Sequence, residues 1–141
     1  LQNGVKFQVI AFNHRSRKLF RSGPKELNSA TRLQALNFVS RLYAGGGTNP
    51  WAGVDESMKS KEVGQIILMS DGWTSTHGWC THKRRYMKYA DCHSDYNKNI
   101  RANSPAGTVQ IDTVSIKHDF CRSGWMGELS SKNDGKCSVI R

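Results

Sequence analysis

Two short motifs carry oxygen-bearing side chains next to predicted strands and helices. Thr48 follows three consecutive glycines and precedes Pro50, where a helix is predicted to begin. Asp71 ends an apolar run and is followed by Gly72. A hydroxyl and a carboxylate on neighbouring loops suit a hard cation such as Mg²⁺ or Ca²⁺. Each motif alone is weak: the glycine run lacks the Lys-Ser/Thr of a phosphate-binding loop, and such an aspartate can simply cap a turn.

The elements predicted around these motifs alternate between strand and helix. Strands are predicted at residues 5–12, 63–69, 109–116 and 137–140, with a short edge strand at 17–20. Helices are predicted at 28–43, 50–59, 96–103 and 125–131. The run 66–69 is apolar throughout, which predicts a strand buried on both faces. The pattern predicts an α/β fold: a Rossmann-like, doubly wound, mainly parallel sheet with helices on both faces.

The length favours a single domain over residues 1–141, with a Cys/His-rich insertion at about 74–95. The cysteines are Cys80, Cys92, Cys121 and Cys137. Proximity favours disulfides 80–92 and 121–137, although four cysteines allow three connectivities. Zinc is the alternative, because three histidines flank the first two cysteines, but the spacing matches no standard zinc site. Disulfides favour an extracytoplasmic location: secreted, periplasmic or at the cell surface.

The chain is basic, with 21 Lys and Arg against 11 Asp and Glu and a formal net charge of +10. The basic residues form two clusters, one of Arg15, Arg17, Lys18 and Arg21, the other of Lys83, Arg84 and Arg85. Such clusters attract acidic protein surfaces, anionic polysaccharide or nucleic acid. The simpler interpretation is a solvated basic surface, which we favour over a dedicated nucleic-acid site. No zinc-finger spacing or RNA-binding aromatic motif accompanies them. No apolar run approaches the roughly 20 residues that span a bilayer.

The order of these motifs resembles that of the von Willebrand factor type A domain. Residues 7–13 are similar to the second strand of that family, 45–49 to its Gly-Gly-Thr segment, and 66–72 to its Asp-Gly strand. Residues 111–116 with 127–129 are similar to its closing strand and helix. The resemblance implies a metal-ion-dependent adhesion site in which Thr48 and Asp71 help to hold Mg²⁺ or Ca²⁺. It also implies a ligand-binding rim, where we place Asn49, Trp73 and Trp79, although the tryptophans can equally pack a cross-linked loop.

One part of the family pattern is missing from this sequence. The first strand of the family ends in Asp-x-Ser-x-Ser and would precede Leu1. The nearest imitation, Asp55-Glu56-Ser57-Met58-Lys59, has Lys59 at the second serine position and falls within a predicted helix. Thr48 and Asp71 alone are too few for a cation that takes about six to eight oxygen ligands. We therefore expect this chain alone to bind the ion weakly or not at all. We expect the central strand to come from an upstream part of the precursor or from another chain, with a rearranged domain as the less favoured option.

The resemblance implies a non-catalytic protein-binding or adhesion module, dependent on a divalent cation if the missing segment completes the site. We expect a protein ligand with an acidic surface. The alternatives are a structural assembly protein with a vestigial ion site and a basic domain that binds polyanions or nucleic acid. An enzyme is not expected, because the sequence contains neither an HExxH pair nor a Gly-x-Ser-x-Gly elbow.

Overall fold

The computed structural model describes residues 4–75, 77–80, 84–88 and 109–141. The helix predicted at 96–103 lies outside the described residues. The strands are β1 Lys6–Phe7, β2 Ile10–Phe12, β3 Ser16–Lys18, β4 Lys25–Glu26, β5 Gln65–Ser70, β6 His77–Cys80, β7 Arg85–Lys88, β8 Gln110–Ile116 and β9 Cys137–Ile140. The helices are α1 Ser29–Ser40, α2 Pro50–Met58, α3 Phe120–Ser123 and α4 Trp125–Ser131.

A parallel sheet of three strands, in the order β5-β8-β9, forms the centre of the fold. In its register Ile66 lies opposite Ile111, and Leu68 lies opposite Thr113. Parallel strands need crossover connections, usually helical, and α3 and α4 provide one between β8 and β9. The α/β fold class predicted from the sequence is confirmed.

The hydrophobic core lies on one face of this sheet. Helix α2 begins at Pro50, whose fixed φ suits the first helical position, and it buries Trp51 and Val54. Their neighbours in the core cluster are Ile66, Leu68, Val109, Ile111 and Leu129. Side chains of α2 and α4 therefore share one apolar layer with the buried face of β5 and β8.

The opposite face of β5 is open. Ile67 and Met69 are 57% and 52% exposed, whereas Ile66 and Leu68 on the first face are 8% and 5% exposed. Burial of the strand on both faces was expected from its apolar sequence, and within the described residues that expectation is wrong. The physical reason is that side chains alternate between the two faces of a strand, and α2 packs only on the face that carries Ile66 and Leu68.

The strand predicted at 5–12 is divided into β1 and β2. The side chain of Gln8 takes the place of a main-chain partner: its Oε1 accepts from Val9 N and Phe20 N, and its Nε2 donates to Phe20 O. Strand β1 consequently pairs with β4, while β2 pairs with β3, both antiparallel. The edge strand predicted at 17–20 corresponds to β3, which begins and ends earlier.

Strands β2 and β5 both pack against α2, yet they are not hydrogen-bonded to each other. Each of these two strands has one edge without a partner strand among the described residues. An additional central strand between them stays a prediction. Lys18 on β3 and Glu56 on α2 form an ion pair of 3.0 Å that holds the β2–β3 hairpin against the helix.

Helix α1 is shorter than its apolar pattern predicts. A capping box of Asn28 and Thr31 starts it, since each side chain accepts from the other's backbone N–H. It ends at Ser40, so Leu42 and Tyr43 lie beyond the helix. Leu33, Leu36 and Val39, which share one helical face, are all exposed.

The segment predicted as an insertion contains the antiparallel hairpin of β6 and β7, with Trp79 opposite Tyr86. Near the end of the chain, α3 was not predicted; Asp119 caps it by accepting from Cys121 N and Arg122 N. The Cys121–Cys137 disulfide joins α3 to β9 with a Cα–Cα distance of 5.5 Å. Cys92 lies outside the described residues, so the 80–92 pairing stays a prediction.

Candidate functional site

The loops that carry Thr48 and Asp71 lie side by side. Thr48 N donates to Ser75 Oγ at 2.9 Å, and Ser75 N donates to Thr48 O at 3.1 Å. These reciprocal bonds join residues 45–49 to the segment that follows β5. The sequence motifs did not identify Ser75, because a serine four residues after an aspartate has no distinctive signature. The structure thus brings together the two motifs on which the metal-site prediction depends.

Asp71 directly follows β5 and is exposed. Its Oδ1 accepts from Trp73 N at 3.1 Å, which is the hydrogen bond of an Asx turn. Gly72 N in turn donates to Ser70 Oγ at 3.1 Å. One carboxylate oxygen therefore holds the turn, and the side chain stays at the carboxyl end of the strand, where open α/β sheets bind ligands.

Position 72 accommodates only glycine in this backbone geometry. Its φ is +85°, and a Cβ built there would lie 2.0 Å from a ring carbon of Phe120. Trp125 Nε1 also donates to Gly72 O at 2.8 Å. The Asp71 turn is therefore packed against the start of α3 and against the start of α4.

Asn49 is buried, with 5% of its surface exposed, so it does not lie on the rim where the sequence placed it. The reason is its backbone, since Asn49 N donates to Asn13 O at 2.7 Å and thereby ties the loop to the end of β2. Its Oδ1 has no hydrogen-bond partner among the described residues. A buried carbonyl oxygen without a partner is costly, and its position next to Thr48 makes it a third candidate donor to a cation.

Trp73 is exposed at the same edge, as expected for a rim residue. Its ring packs edge-on against Phe120 at 5.3 Å and against His118 at 6.0 Å between centroids. Sequence reasoning missed these two partners, although both directly follow the predicted strand 109–116. Trp79 lies on β6, where the structure describes its backbone only, so its place on the rim stays a prediction.

The described oxygen donors suit a hard cation in type but not in number. Thr48, Asn49 and Asp71 offer hydroxyl, amide and carboxylate oxygens, all of which Mg²⁺ and Ca²⁺ accept. No group of three or more His, Cys, Asp or Glu side chains with metal-binding geometry occurs within the described ranges. A cation that takes about six to eight oxygens would need further ligands from elsewhere. These three residues alone therefore do not make a complete cation site.

Residues 55–59, the segment most similar to the missing Asp-x-Ser-x-Ser motif, lie at the end of α2 and just after it. The carboxylate of Glu56 is engaged by Lys59 and Lys18. Hydrogen bonds from Lys59 first and then Lys18 lower the pKa of Glu56, although partial burial opposes them. This carboxylate therefore anchors a hairpin and does not take part in the candidate site.

The first basic cluster lies on the β2–β3 hairpin and just after it. Asn13 Nδ2 donates to Gly45 O at 3.0 Å, which attaches the tip of the hairpin to the glycine loop. Arg15 and Arg17 are exposed beyond that attachment. Of the second cluster, Arg84 and Arg85 are exposed, while Lys83 lies outside the described residues. Within the described ranges no helix is long and apolar enough to cross a membrane.

Comparison with known proteins agrees with this architecture. A solved structure of von Willebrand factor type A from Catenulispora acidiphila matches with a TM-score of 0.75 and 19% sequence identity. The match covers 100% of this chain and 31% of that chain. No family model matches the sequence, and no curated protein matches it either. The chain therefore has the fold of a von Willebrand factor type A domain.

Proposed function

We propose that this chain is a non-catalytic protein-binding module that binds its ligand at the edge formed by residues 45–49 and 71–75. The observation that carries the proposal is the pair of reciprocal hydrogen bonds between Thr48 and Ser75. They hold a hydroxyl, a buried amide oxygen and an exposed carboxylate at one end of a parallel sheet. Preorganised polar groups at that position are typical of a binding site.

The binding mode we propose is adhesion through a divalent cation, Mg²⁺ or Ca²⁺. Thr48 and Asp71 would supply part of the coordination, and an Asp-x-Ser-x-Ser segment from elsewhere would supply most of the rest. An acidic side chain of the protein ligand would complete it. The support is the type of the oxygen donors and the unpartnered Oδ1 of Asn49.

An extracytoplasmic location accompanies this proposal. Its support is the Cys121–Cys137 disulfide, because disulfides persist mainly in oxidising compartments.

The decisive experiment measures Mn²⁺ binding by electron paramagnetic resonance. The full chain is titrated alone and with a synthetic segment consisting of an apolar strand ending in Asp-x-Ser-x-Ser. We expect weak binding alone and an affinity at least about tenfold higher, near 1.4 kcal/mol, with the segment present. Thr48→Val and Asp71→Asn should each remove that gain.

Glu62→Gln is the matched control, since Glu62 is an exposed carboxylate just before β5 and so lies at the other end of the strand from Asp71. It should leave the gain in Mn²⁺ affinity unchanged. If Thr48→Val and Asp71→Asn bind Mn²⁺ as the unaltered chain does, the cation part of the proposal is wrong.

A permanent structural subunit is the second candidate function. It is favoured by the large apolar side chains that the fold leaves exposed on α1 and on the open face of β5. In that case the chain would purify in a stable complex that survives chelation of divalent cations. Release of the partner by chelation would instead favour the adhesion module.

A further inference from the structure

A shallow groove of about 510 Å³ lies between β3 and α1, away from the candidate cation site. One wall is formed by Arg17 and Leu19 from β3 and the residue after it. The other is formed by the face of α1 that carries Gln34, Asn37 and Phe38, and Arg41 follows at the end of that helix. None of the described residues that line the groove is a carboxylate.

The two arginines differ from several other cations of the chain in lacking an acidic partner. Lys6 pairs with Glu62, Lys18 with Glu56 and Arg122 with Asp119. Among the residues that the structure describes, neither Arg17 nor Arg41 forms an ion pair, and both side chains are exposed. The groove therefore holds two cations that no described carboxylate neutralises, in a segment where residues 6–41 contain eight Lys and Arg and one acid.

Arg17 is held in position by an aromatic ring. Its guanidinium carbon lies 4.9 Å from the centroid of Phe38, within the range of a cation–π contact. Stacking uses the flat face of the guanidinium and leaves the N–H groups at its edge able to donate. A planar fork of this kind matches the two oxygens of a carboxylate.

The remaining lining is suited to a peptide. Leu19 and Phe38 are half-buried and present apolar surface, while Gln34 and Asn37 present amides that can both donate and accept. An extended peptide offers backbone N–H and C=O groups that can bond to these amides. An apolar side chain of the peptide can pack on the apolar floor of the groove, formed by Leu19 and Phe38. The groove thus combines the elements that recognise an acidic peptide containing an apolar residue.

We propose that this groove binds a segment of a partner protein in which carboxylates flank a large apolar side chain. Nucleic acid fits the same lining less well. Single strands are bound by stacking bases on open aromatic faces, but Arg17 covers the face of Phe38, and Phe20 is buried with Lys25 5.1 Å from its ring centroid. The proposal rests on the proposed function only in taking the partner to be a protein, and it needs no cation.

The test uses fluorescence anisotropy with the full chain and three short labelled peptides. The first repeats Asp-Leu-Glu, the second replaces the acids by Asn and Gln, and the third replaces the leucines by serine. We expect the first peptide to bind at least about tenfold more tightly than the other two. The double substitution R17Q/R41Q should weaken that binding by about tenfold or more.

The matched control is K61Q/R122Q, which removes the same charge from exposed positions outside the groove. It should leave peptide binding within about twofold, since distant exposed charges are screened by salt. Phe38→Leu keeps the apolar floor but removes the stacking platform of Arg17, and should weaken binding without loss of circular dichroism signal. Chelation and Thr48→Val should have no effect, so failure here leaves the cation proposal untouched.

Three results would overturn the inference. The first is that the unaltered chain and R17Q/R41Q bind the Asp-Leu-Glu peptide with equal affinity, or that neither protein binds it. The second is equal binding of the serine peptide, because the apolar side chain would then play no part. The third is tighter binding of labelled oligothymidylate that R17Q/R41Q abolishes, which would assign the groove to polyanions.

Discussion

The two faces of strand β5 carry similar side chains in opposite surroundings. Ile66 and Leu68 pack beneath α2 with Trp51 and Ile111, whereas Ile67 and Met69 remain more than half exposed. Each face carries one isoleucine and one unbranched-at-Cβ apolar side chain, Leu68 or Met69, so the two faces have similar apolar composition. Their contribution to stability is therefore set by what covers them, because only apolar surface removed from water contributes.

The first two helices show the same contrast. Helix α2 places Trp51 and Val54 in the core, whereas α1 leaves Leu33, Leu36 and Val39 exposed. Helix α1 has its cap but little packing, and helical stability in proteins comes mostly from packing of an apolar face. The covered half of the molecule should therefore carry most of the free energy of unfolding.

The largest expected effect comes from removing a covered side chain. Leu68→Ala should lower the free energy of unfolding by about 2–5 kcal/mol, because it loses burial and leaves a cavity beneath α2. Met69→Ala, one residue away on the open face, is the matched control and should cost under about 1 kcal/mol. Urea denaturation followed by circular dichroism measures both. Equal losses would show that the open face is covered in solution.

Gly72→Ala tests the packing that joins the Asp71 turn to the covered half. The substitution should cost about 2–3 kcal/mol, since alanine is strained at this φ and its Cβ would meet the Phe120 ring. Gly64→Ala is the control, because its φ is not in the left-handed region and no atom lies within 4 Å of the added Cβ. It should change stability by less than about 0.5 kcal/mol. A similar loss for both would contradict the close packing of Gly72 on Phe120.

Glu56→Gln should give a smaller loss, about 0.5–1 kcal/mol at neutral pH, by weakening the link between α2 and the β2–β3 hairpin. Lys59 and Lys18 lower the pKa of this carboxyl in the folded chain. Such a group stabilises the fold above its unfolded pKa, and the contribution is lost as pH falls through the folded pKa. As pH falls below about 4.3, the free energy of unfolding of the unaltered chain should therefore decrease more steeply than that of E56Q. Melting curves recorded at a series of pH values measure this, and the same pH dependence for both proteins would contradict it.

The smallest effect is expected on α1. Leu36→Ser should change the free energy of unfolding by less than about 0.5 kcal/mol, because the side chain is already exposed. Val54→Ser provides the contrast on α2 and should be strongly destabilising. A loss of more than about 2 kcal/mol for L36S would mean that a second surface buries α1, as the structural-subunit alternative requires.

Much of the fold follows from local pattern, and the exceptions have local causes. The strands at 63–69 and 109–116 were predicted within a residue or two, the first from a continuous apolar run and the second from alternation with β-branched residues. The break at Gln8 was not predictable, since it depends on an amide that bonds Phe20, twelve residues away. The end of α1 at Ser40 was also missed, because its apolar pattern continues where the helix does not.

The sequence identified residues of the candidate site but not the hydrogen bonds and ring contacts that hold them in place. Thr48 and Asp71 lie on adjoining loops as their motifs indicated, and Trp73 is exposed beside them. The burial of Asn49 arises from a backbone bond to Asn13, and the aromatic partners His118 and Phe120 come from the segment after β8. Neither type of contact leaves a trace in local sequence, because both depend on how distant strands are placed.

The reciprocal bonds between Thr48 and Ser75 have a consequence for binding entropy. Two separate loops would each lose conformational freedom when a ligand ordered them, and that loss would weaken the complex. Here the loops are already joined at two points before any ligand arrives. Part of the ordering cost has therefore been met during folding, and Ser75→Ala should lower affinity for any ligand of this edge chiefly by making its binding entropy less favourable.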